Sequence, residues 1–487
     1  MGDHARLGDV SDAELSSELR PAATGPAFSA DDLVRLTGGR LLARSDRPIR
    51  GGAVDSREVL PGVLFVALPG ERTDGHDHVL DAIARGAAAI LVTRPPVDPA
   101  ALGDVTVIRV GDGLAALGAV ATDWRRRFDA LVVGVTGSIA KTSTKEAAGA
   151  VLAADRPTLR SQGNQNNEIG VPLTLLRLGP EHAAAVLEMG MYVGGEIAYL
   201  AAMARPAIGV VTAVQPVHLS RIGSLAAVEL AKGELLEALP GDGVAILNAD
   251  DAIVTRMDRR TAARVLRYGF GDGADVRVDE VVSAGLAGMR FRLRTPSGTR
   301  QVAIGGLGRL SVHNAAAGAA VGIAAGLDLD TIVAGLQGGW SADHRVALVR
   351  LRGAMVIDDS YNASPASVRA ALDVLAGLPG RRVAVLGTML ELGDDHESGH
   401  VAVGAAAADI VDLLIVVGAD ARGIVDGALA HGLPAERIHL VPDADAALDT
   451  LRPRLRDRDT ILVKASRSIA LERVVDGLRL ELGEVVP

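Results

Sequence analysis

The run from Leu131 to Glu146, LVVGVTGSIAKTSTKE, constrains this chain more than any other stretch. A short apolar strand candidate passes directly into a Gly/Ser turn and then into a helix-forming segment opened by lysine and threonine. That is the context of a phosphate loop. Backbone N–H groups at a helix N-terminus cradle oxygens, Lys141 adds charge, and Thr142 can ligate Mg²⁺. The segment departs from the pattern G-x-x-x-x-G-K-[ST], because Val135 stands at its first glycine and Ala140 at its second. Ala140 keeps its N–H, so the question is conformational. If the position needs φ > 0, alanine costs about 1–2 kcal/mol; if φ is negative, the change is harmless. We expect the tolerated angle. Gly137, Ser138, Ala140, Lys141, Thr142 and Ser143 are the phosphate-binding candidates.

With 487 residues the chain is too long for one hydrophobic core. Residues 1–27 form an N-terminal extension without periodicity. A first domain over 28–125 holds strand candidates at Val63 to Leu68 and Ala88 to Val92. A central domain over 126–340 adds Leu131 to Val135, Ala185 to Leu187, Ile208 to Thr212 and Val244 to Leu247. A third over 341–487 carries Met355 to Ile357, Val383 to Leu386, Leu413 to Val417, Ile438 to Val441 and Ile461 to Val463. Helical patterns lie between them, the alternation expected of parallel sheets with crossover helices. The last pattern places Leu471, Val474, Val475 and Leu478 on one amphipathic face. In such sheets ligands bind beyond the carboxyl ends of the strands. The segments after the strands, Asp359 to Asn362, Thr388 to Glu391 and Lys464 to Arg467, are therefore where a site belongs.

Composition removes several function classes. A net charge of −10 offers no global field for nucleic acid, and 2% aromatic residues leave few platforms for stacked bases. The absence of cysteine excludes disulfides, thiolate metal sites and cysteine nucleophiles. No signal-peptide core opens the chain, and the apolar run Ala315 to Leu327 is too short and Gly-rich to span a bilayer. The expectation is a soluble cytoplasmic protein without membrane insertion.

Three more residues suit a metal and a phosphate. Glu188 ends a strand candidate in AVLEMG, and His218 follows another in TAVQPVHLS; both stand in the domain of Thr142, where they can converge on one Mg²⁺. The helix opening after Ser224, a good N-cap, carries Leu225, Val228, Leu235 and Leu239 on one stripe. Lys232 falls on that stripe. A lysine there either snorkels its ammonium to the surface or is held inside for chemistry. In the second case burial lowers its pKa and leaves an amine nucleophilic enough to be modified. The spacing leaves both open.

Other motifs follow in order: GNQNNEIGVPLTLL (Gly163 to Leu176), LEMG, HL, AKGE, LNADD (Leu247 to Asp251), DDSYNASP (Asp358 to Pro365), LGTMLELG (Leu386 to Gly393) and KASRS (Lys464 to Ser468). DSR (Asp55 to Arg57) and GERTDGHD (Gly70 to Asp77) precede the phosphate loop. From Phe28 onward this order resembles the Mur ligases of peptidoglycan synthesis. The resemblance implies a three-domain α/β architecture, with a central P-loop-type parallel-sheet ATPase domain and a C-terminal Rossmann-like domain. It also implies a monomeric ATP- and Mg²⁺-dependent amide ligase working through an acyl phosphate. The DDSYN, MLELG and NNEIGVP signatures resemble those of members that join D-Ala-D-Ala to UDP-N-acetylmuramoyl-tripeptide. A relative adding another amino acid, or one that binds nucleotide without catalysis, is the alternative.

Residue by residue, the resemblance puts Ser56 and Arg57 near UDP, and Asn164 and Asn167 near the muramoyl-peptide. It gives ATP to Lys141 and Thr142, Mg²⁺ to Thr142, Glu188 and His218, and a second Mg²⁺ to a carbamylated Lys232. Asn314 would contact adenine. Arg345, Asp359, Tyr361 and Asn362 would complete the ATP site, and Ser466 and Arg467 would hold the peptide or incoming amine. Four positions depart from the family motifs: Ala140, His344 and Ala465 stand at glycines, and Thr388 at an aspartate.

Overall fold

The computed structural model describes residues 25–70, 73–94, 102–215 and 222–485. Most of the expected extension, and His218, lie outside the described residues. The chain forms two compact units. One comprises residues up to Gly134 with Arg156–Gly190 and Glu196–Ala207; the other comprises Val135–Asp155, Met191–Gly195 and everything from Ile208.

In the first unit β1 (Arg40–Ala43), β2 (Gly52–Ala53), β3 (Leu64–Val66), β4 (Ala89–Val92) and β5 (Thr106–Arg109) form a sheet in the order β1-β5-β4-β3-β2. Only β1 runs antiparallel. Every residue of β3 and β4 is buried, which is why these strands read as unbroken apolar runs: a parallel sheet is covered on both faces. The helix Gly113–Arg125 starts on an Asp112 cap and buries Trp124, whose indole N–H donates to the Leu178 carbonyl at 2.9 Å. Strand β6 (Leu131–Thr136) leads from this unit into the other, and β7 (Thr158–Arg160) pairs in parallel with β8 (Ala184–Glu188).

The second unit contains β9 (Ile208–Val211), β10 (Val244–Asn248), β11 (Arg264–Gly269) and β12 (Val276–Ser283), which pair in parallel with one another in that order. Then the rhythm changes. β13 (Met289–Thr295) and β14 (Gly298–Ile304) continue the sheet as an antiparallel meander with no crossover helix, where only parallel strands and helices are expected from the sequence. Met289, Phe291 and Leu293 point inward and alternate with arginines, so one face is dry and the other wet. Beneath this sheet the helices Lys141–Ala153 and Gly308–Ala324 meet through small residues. A Cβ on Gly318 would sit 3.0 Å from the Ala147 carbonyl carbon.

A further sheet in this unit has the order β15-β16-β20-β17-β18-β19, from Ala347–Leu351, Ala354–Asp358, Arg381–Gly387, Leu413–Val417, Ile438–Val441 and Asp459–Lys464 numbered in chain order. It is parallel apart from β15. Its alternate residues feed two cores. Ala384, Leu386, Leu414 and Leu462 pack under the helices Pro365–Ala376 and His396–Ala408, while Val383, Val385, Ile461 and Val463 pack under Ala444–Leu451 and Glu472–Leu482. The expected Rossmann-like layering is present. Inside it the fully buried Asp459 accepts two bonds from Arg381, at 2.8 and 2.6 Å, and one from the Arg456 N–H. Replacing Asp459 with alanine should cost about 3–5 kcal/mol, because Arg381 is left half-buried and unpaired. Urea denaturation followed by circular dichroism measures this; a loss below about 1 kcal/mol would mean that water replaces the carboxylate.

Candidate active site

The phosphate loop lies in the second unit and is tied to the end of β9. Thr212 Oγ1 donates to the Ile139 carbonyl at 2.6 Å, and Ser138 N–H donates to Ala213 O at 2.8 Å. Ser138 and Gln215 exchange two further bonds, at 2.9 and 3.1 Å. This closeness dictates Gly137: a Cβ there would stand 1.9 Å from Thr212 Oγ1, at a φ of 150°. Lys141 folds back over the loop and donates to Gly137 O at 2.7 Å, Thr142 is buried in the helix's first turn, and Ser143 is half-buried.

Ala140 overturns the expectation. Its φ of 65° and ψ of 4° are left-handed, at the point where the loop enters the helix. Alanine at this angle costs about 1–2 kcal/mol. The glycine of the strict motif would relieve that cost.

Beside the loop opens a cavity of about 560 Å³, walled by Ile139, Ala140, Thr212 to Gln215, Asn248, Asp250 to Ile253, Phe270, Arg309, Leu310 and His313. LNADD builds one wall. Asn248 donates to Thr212 O at 2.7 Å and faces His313 Nε2 at 3.1 Å, while Asp251 accepts from the Val214 N–H at 2.9 Å. Asp250 accepts from the N–H groups of Phe270 and Gly271 at 2.8 and 2.9 Å. Burial raises its pKa, but these bonds and His313 outweigh burial and hold it at about 2. The Arg309 guanidinium lies 4.2 Å from the Phe270 ring centroid. Asn314, expected at adenine, is buried behind the wall and accepts from Thr144 Oγ1 at 3.3 Å; its neighbour His313 reaches the cavity instead. Asn248 and Asp250 belong to the LNADD motif and His313 stands beside Asn314, but none of the three carried an assigned role. A periodic pattern does not mark residues that meet from three different elements.

Lys232 settles one open choice. It is 3% exposed, so its ammonium is not at the surface. Burial pushes its pKa well below the ordinary lysine value, and the nearby charge of Lys141 pushes in the same direction. Ser224 caps its helix as expected, accepting from the Ala227 N–H.

In the first unit Glu188 is 1% exposed and accepts from Asn166 Nδ2 at 2.8 Å. Asn166 was missed. Asn167, favoured by the resemblance, accepts from the Gly170 N–H at 2.9 Å through its side-chain oxygen, just before the helix Gly170–Leu176, and Asn164 is exposed. Ser56 and Arg57 line a cavity of about 400 Å³ together with Asp81, Ala84 and Arg85. Arg85 adds a cation that no motif had flagged.

The remaining residues gather at the carboxyl ends of β16 and β20. Lys464, 3% exposed, pairs with Asp359 at 2.6 Å and donates to Asn362 O at 2.8 Å. Burial raises the Asp359 pKa against the pull of Lys464 and Arg345. Arg345 stacks 4.1 Å from the Tyr361 ring centroid, and Arg467 lies 5.6 Å from the same ring. Ser466 Oγ accepts from the Leu390 N–H at 2.9 Å, fastening MLELG to KASRS. Among the described residues no cluster of three His, Asp or Glu stands ready for a metal, and no helix is long and apolar enough to cross a membrane.

Family models match three segments: Mur ligase family, catalytic domain (48–125), Mur ligase middle domain (135–322) and Mur ligase, glutamate ligase domain (344–467). The chain is 39% identical over 443 residues to the UDP-N-acetylmuramoyl-tripeptide–D-alanyl-D-alanine ligase of Escherichia coli K12, covering 90% of this chain and 95% of that protein. The ligase of the same name from Mycobacterium tuberculosis H37Rv is 38% identical, with 87% and 91% covered. Crystal structure I of MurF from Acinetobacter baumannii superposes with a TM-score of 0.82 at 30% identity, over 94% of this chain and 99% of that one. MurF ligase from Thermotoga maritima in complex with ADP gives 0.76 at 27% identity, over 89% and 97%.

Ala140→Gly should raise stability by about 1 kcal/mol, seen as a higher melting temperature; an unchanged or lower value would show that the loop accommodates the alanine. Asp250 gives a pH signature. Its carboxyl is depressed from 3.8 to about 2, so its contribution is full above pH 3.8 and is lost as pH falls through about 2. The stability gap between wild type and Asp250→Asn should be constant near neutrality and shrink over that window. A gap that stays constant to the acid end would contradict the assigned bonds.

Proposed function

This chain belongs to the Mur ligase family, and we propose that it joins D-alanyl-D-alanine to UDP-N-acetylmuramoyl-tripeptide at the expense of ATP, in peptidoglycan precursor synthesis. The observation that carries this reading is near full-length similarity to relatives of that single specificity, in a chain that builds a phosphate loop. We place the reaction in the cytoplasm, carried out by a monomer, in support of cell shape and division.

On this reading the three domains divide at 28–125, 126–340 and 341–487. Ser56 and Arg57, helped by Arg85, hold the UDP end, and Asn164 and Asn167 border the muramoyl-peptide. Gly137, Ser138, Ala140, Lys141, Thr142 and Ser143 hold the phosphates. The cavity of Asp250, Phe270 and His313 takes adenine, with Asn314 bracing it from behind. Arg345, Asp359, Tyr361 and Asn362 complete the nucleotide site, while Ser466 and Arg467 hold the peptide or amine.

The tripeptide's terminal carboxylate attacks the γ-phosphorus of ATP; the bond to ADP breaks and an acyl phosphate forms. Lys141 neutralises charge on the transferring group, so this step is mainly electrostatic. The free amine of D-Ala-D-Ala then attacks the acyl carbon, phosphate departs, and the nitrogen releases a proton as the amide forms. Exclusion of water protects the acyl phosphate from hydrolysis.

Thr142, Glu188, His218 and a modified Lys232 would hold Mg²⁺, which when bound neutralises phosphate charge. As donor types these groups suit such a cation on one condition. The Thr142 hydroxyl and the buried Glu188 carboxylate suit a hard cation, whereas an ammonium at Lys232 would repel it. Burial and Lys141 favour the neutral amine. That amine can add to CO₂, forming an N–C bond and releasing a proton, and so presents carbamate oxygens instead.

Phosphate release from ATP should require both UDP-N-acetylmuramoyl-tripeptide and D-Ala-D-Ala. Turnover with another amine but none with the dipeptide would sink the specificity and spare the family. ATP binding without turnover would mean that catalysis has been lost.

A further inference from the structure

Arg345 is flanked by two strained residues. His344 has a φ of 57° and Val346 a φ of 54°, and a β-branched residue at such an angle is a genuine outlier. Strain of this kind persists only where neighbouring bonds impose it. Here those bonds run to the segment after β16. His344 Nδ1–H donates to Asp358 Oδ2 at 2.8 Å, and His344 O accepts from the Tyr361 N–H at 3.1 Å. The Val346 N–H faces the Asp359 carboxylate.

The far end of the clamp is rigid. Asp358 is 2% exposed, and its other oxygen accepts from Ser360 Oγ at 2.6 Å and Ser360 N–H at 3.2 Å. The segment 344–346 is thus stapled on both sides of Arg345, and the guanidinium between the staples lies against Tyr361 at 4.1 Å. A histidine that only filled space would need neither the left-handed backbone nor a buried carboxylate partner.

We propose that His344 is a positioning residue for the nucleotide: its bond to Asp358 holds Arg345 in the arrangement that receives ATP. This rests on the reading that Arg345 and Tyr361 face the nucleotide. Glycine at 344 would relieve the backbone and remove the side-chain bond to Asp358. If the freed segment spends about a tenth of its time in the stacked arrangement, apparent nucleotide affinity falls about tenfold.

The test compares wild type, His344→Gly and His344→Asn for melting temperature, KM for ATP, kcat and direct ADP binding. H344G should melt within a few degrees of wild type, because relief of the left-handed backbone offsets the lost bond to Asp358, yet show KM and Kd raised about tenfold with kcat at saturation within about twofold. Asparagine tolerates the left-handed angle and can donate to Asp358, so H344N should return to within about threefold of wild type. Wild-type affinity in H344G, or H344N as weak as H344G, overturns the proposal. So does a lowered melting temperature with kcat reduced and KM unchanged, which marks a merely structural role. ADP binding separates the two readings: binding without amide synthesis sinks the ligase assignment alone, whereas equal ADP affinities in all three proteins sink the clamp.

Discussion

One threonine sets the geometry on which the candidate site depends. The Thr212 hydroxyl reaches the Ile139 carbonyl inside the phosphate loop, and the backbone carbonyl of Thr212 accepts from Asn248. From Asn248 the network passes to His313 and to the Asp250 N–H. A single line of hydrogen bonds therefore runs from the loop to the far wall of the adjoining cavity. Its closeness leaves no room for a side chain at Gly137, and Ala140 stands left-handed at the start of the helix that follows.

The legible part of the fold was the part buried on both faces. Strands such as Leu413–Val417 and Ile208–Val211 fall where their apolar runs lie, because a covered parallel strand has no polar face to confuse the pattern. The meander from Val276 to Ile304 was misread, since arginines at alternate positions dilute the apolar signal. The period-two spacing of Met289, Phe291 and Leu293, with Pro296-Ser297-Gly298 as a turn, was the available clue.

Site residues divide the same way. Lys232 was visible from helical spacing, although its depth of burial was not. Lys464 stood in a quoted motif, but its partnership with Asp359 exists only because β20 lies beside β16, about a hundred residues apart in sequence. The angle at Ala140 could not be read at all. Backbone dihedrals at a loop are fixed by tertiary bonds, and an alanine carries no local mark of them. Ala140, His344 and Val346 form a set: non-glycine residues in left-handed backbone around the proposed nucleotide site, each a small debit against stability.

The interface between the helices Lys141–Ala153 and Gly308–Ala324 has a wider meaning. Gly318 meets Ala147 backbone to backbone, and Gly322 admits Val151. Close-packed small residues have no rotamers through which to yield. One helix begins at the phosphate loop and the other carries His313, so the spacing between them behaves as a fixed gauge. A ligand seated on both is measured by its length. The base and the phosphates of a nucleotide seated on both are held at one separation.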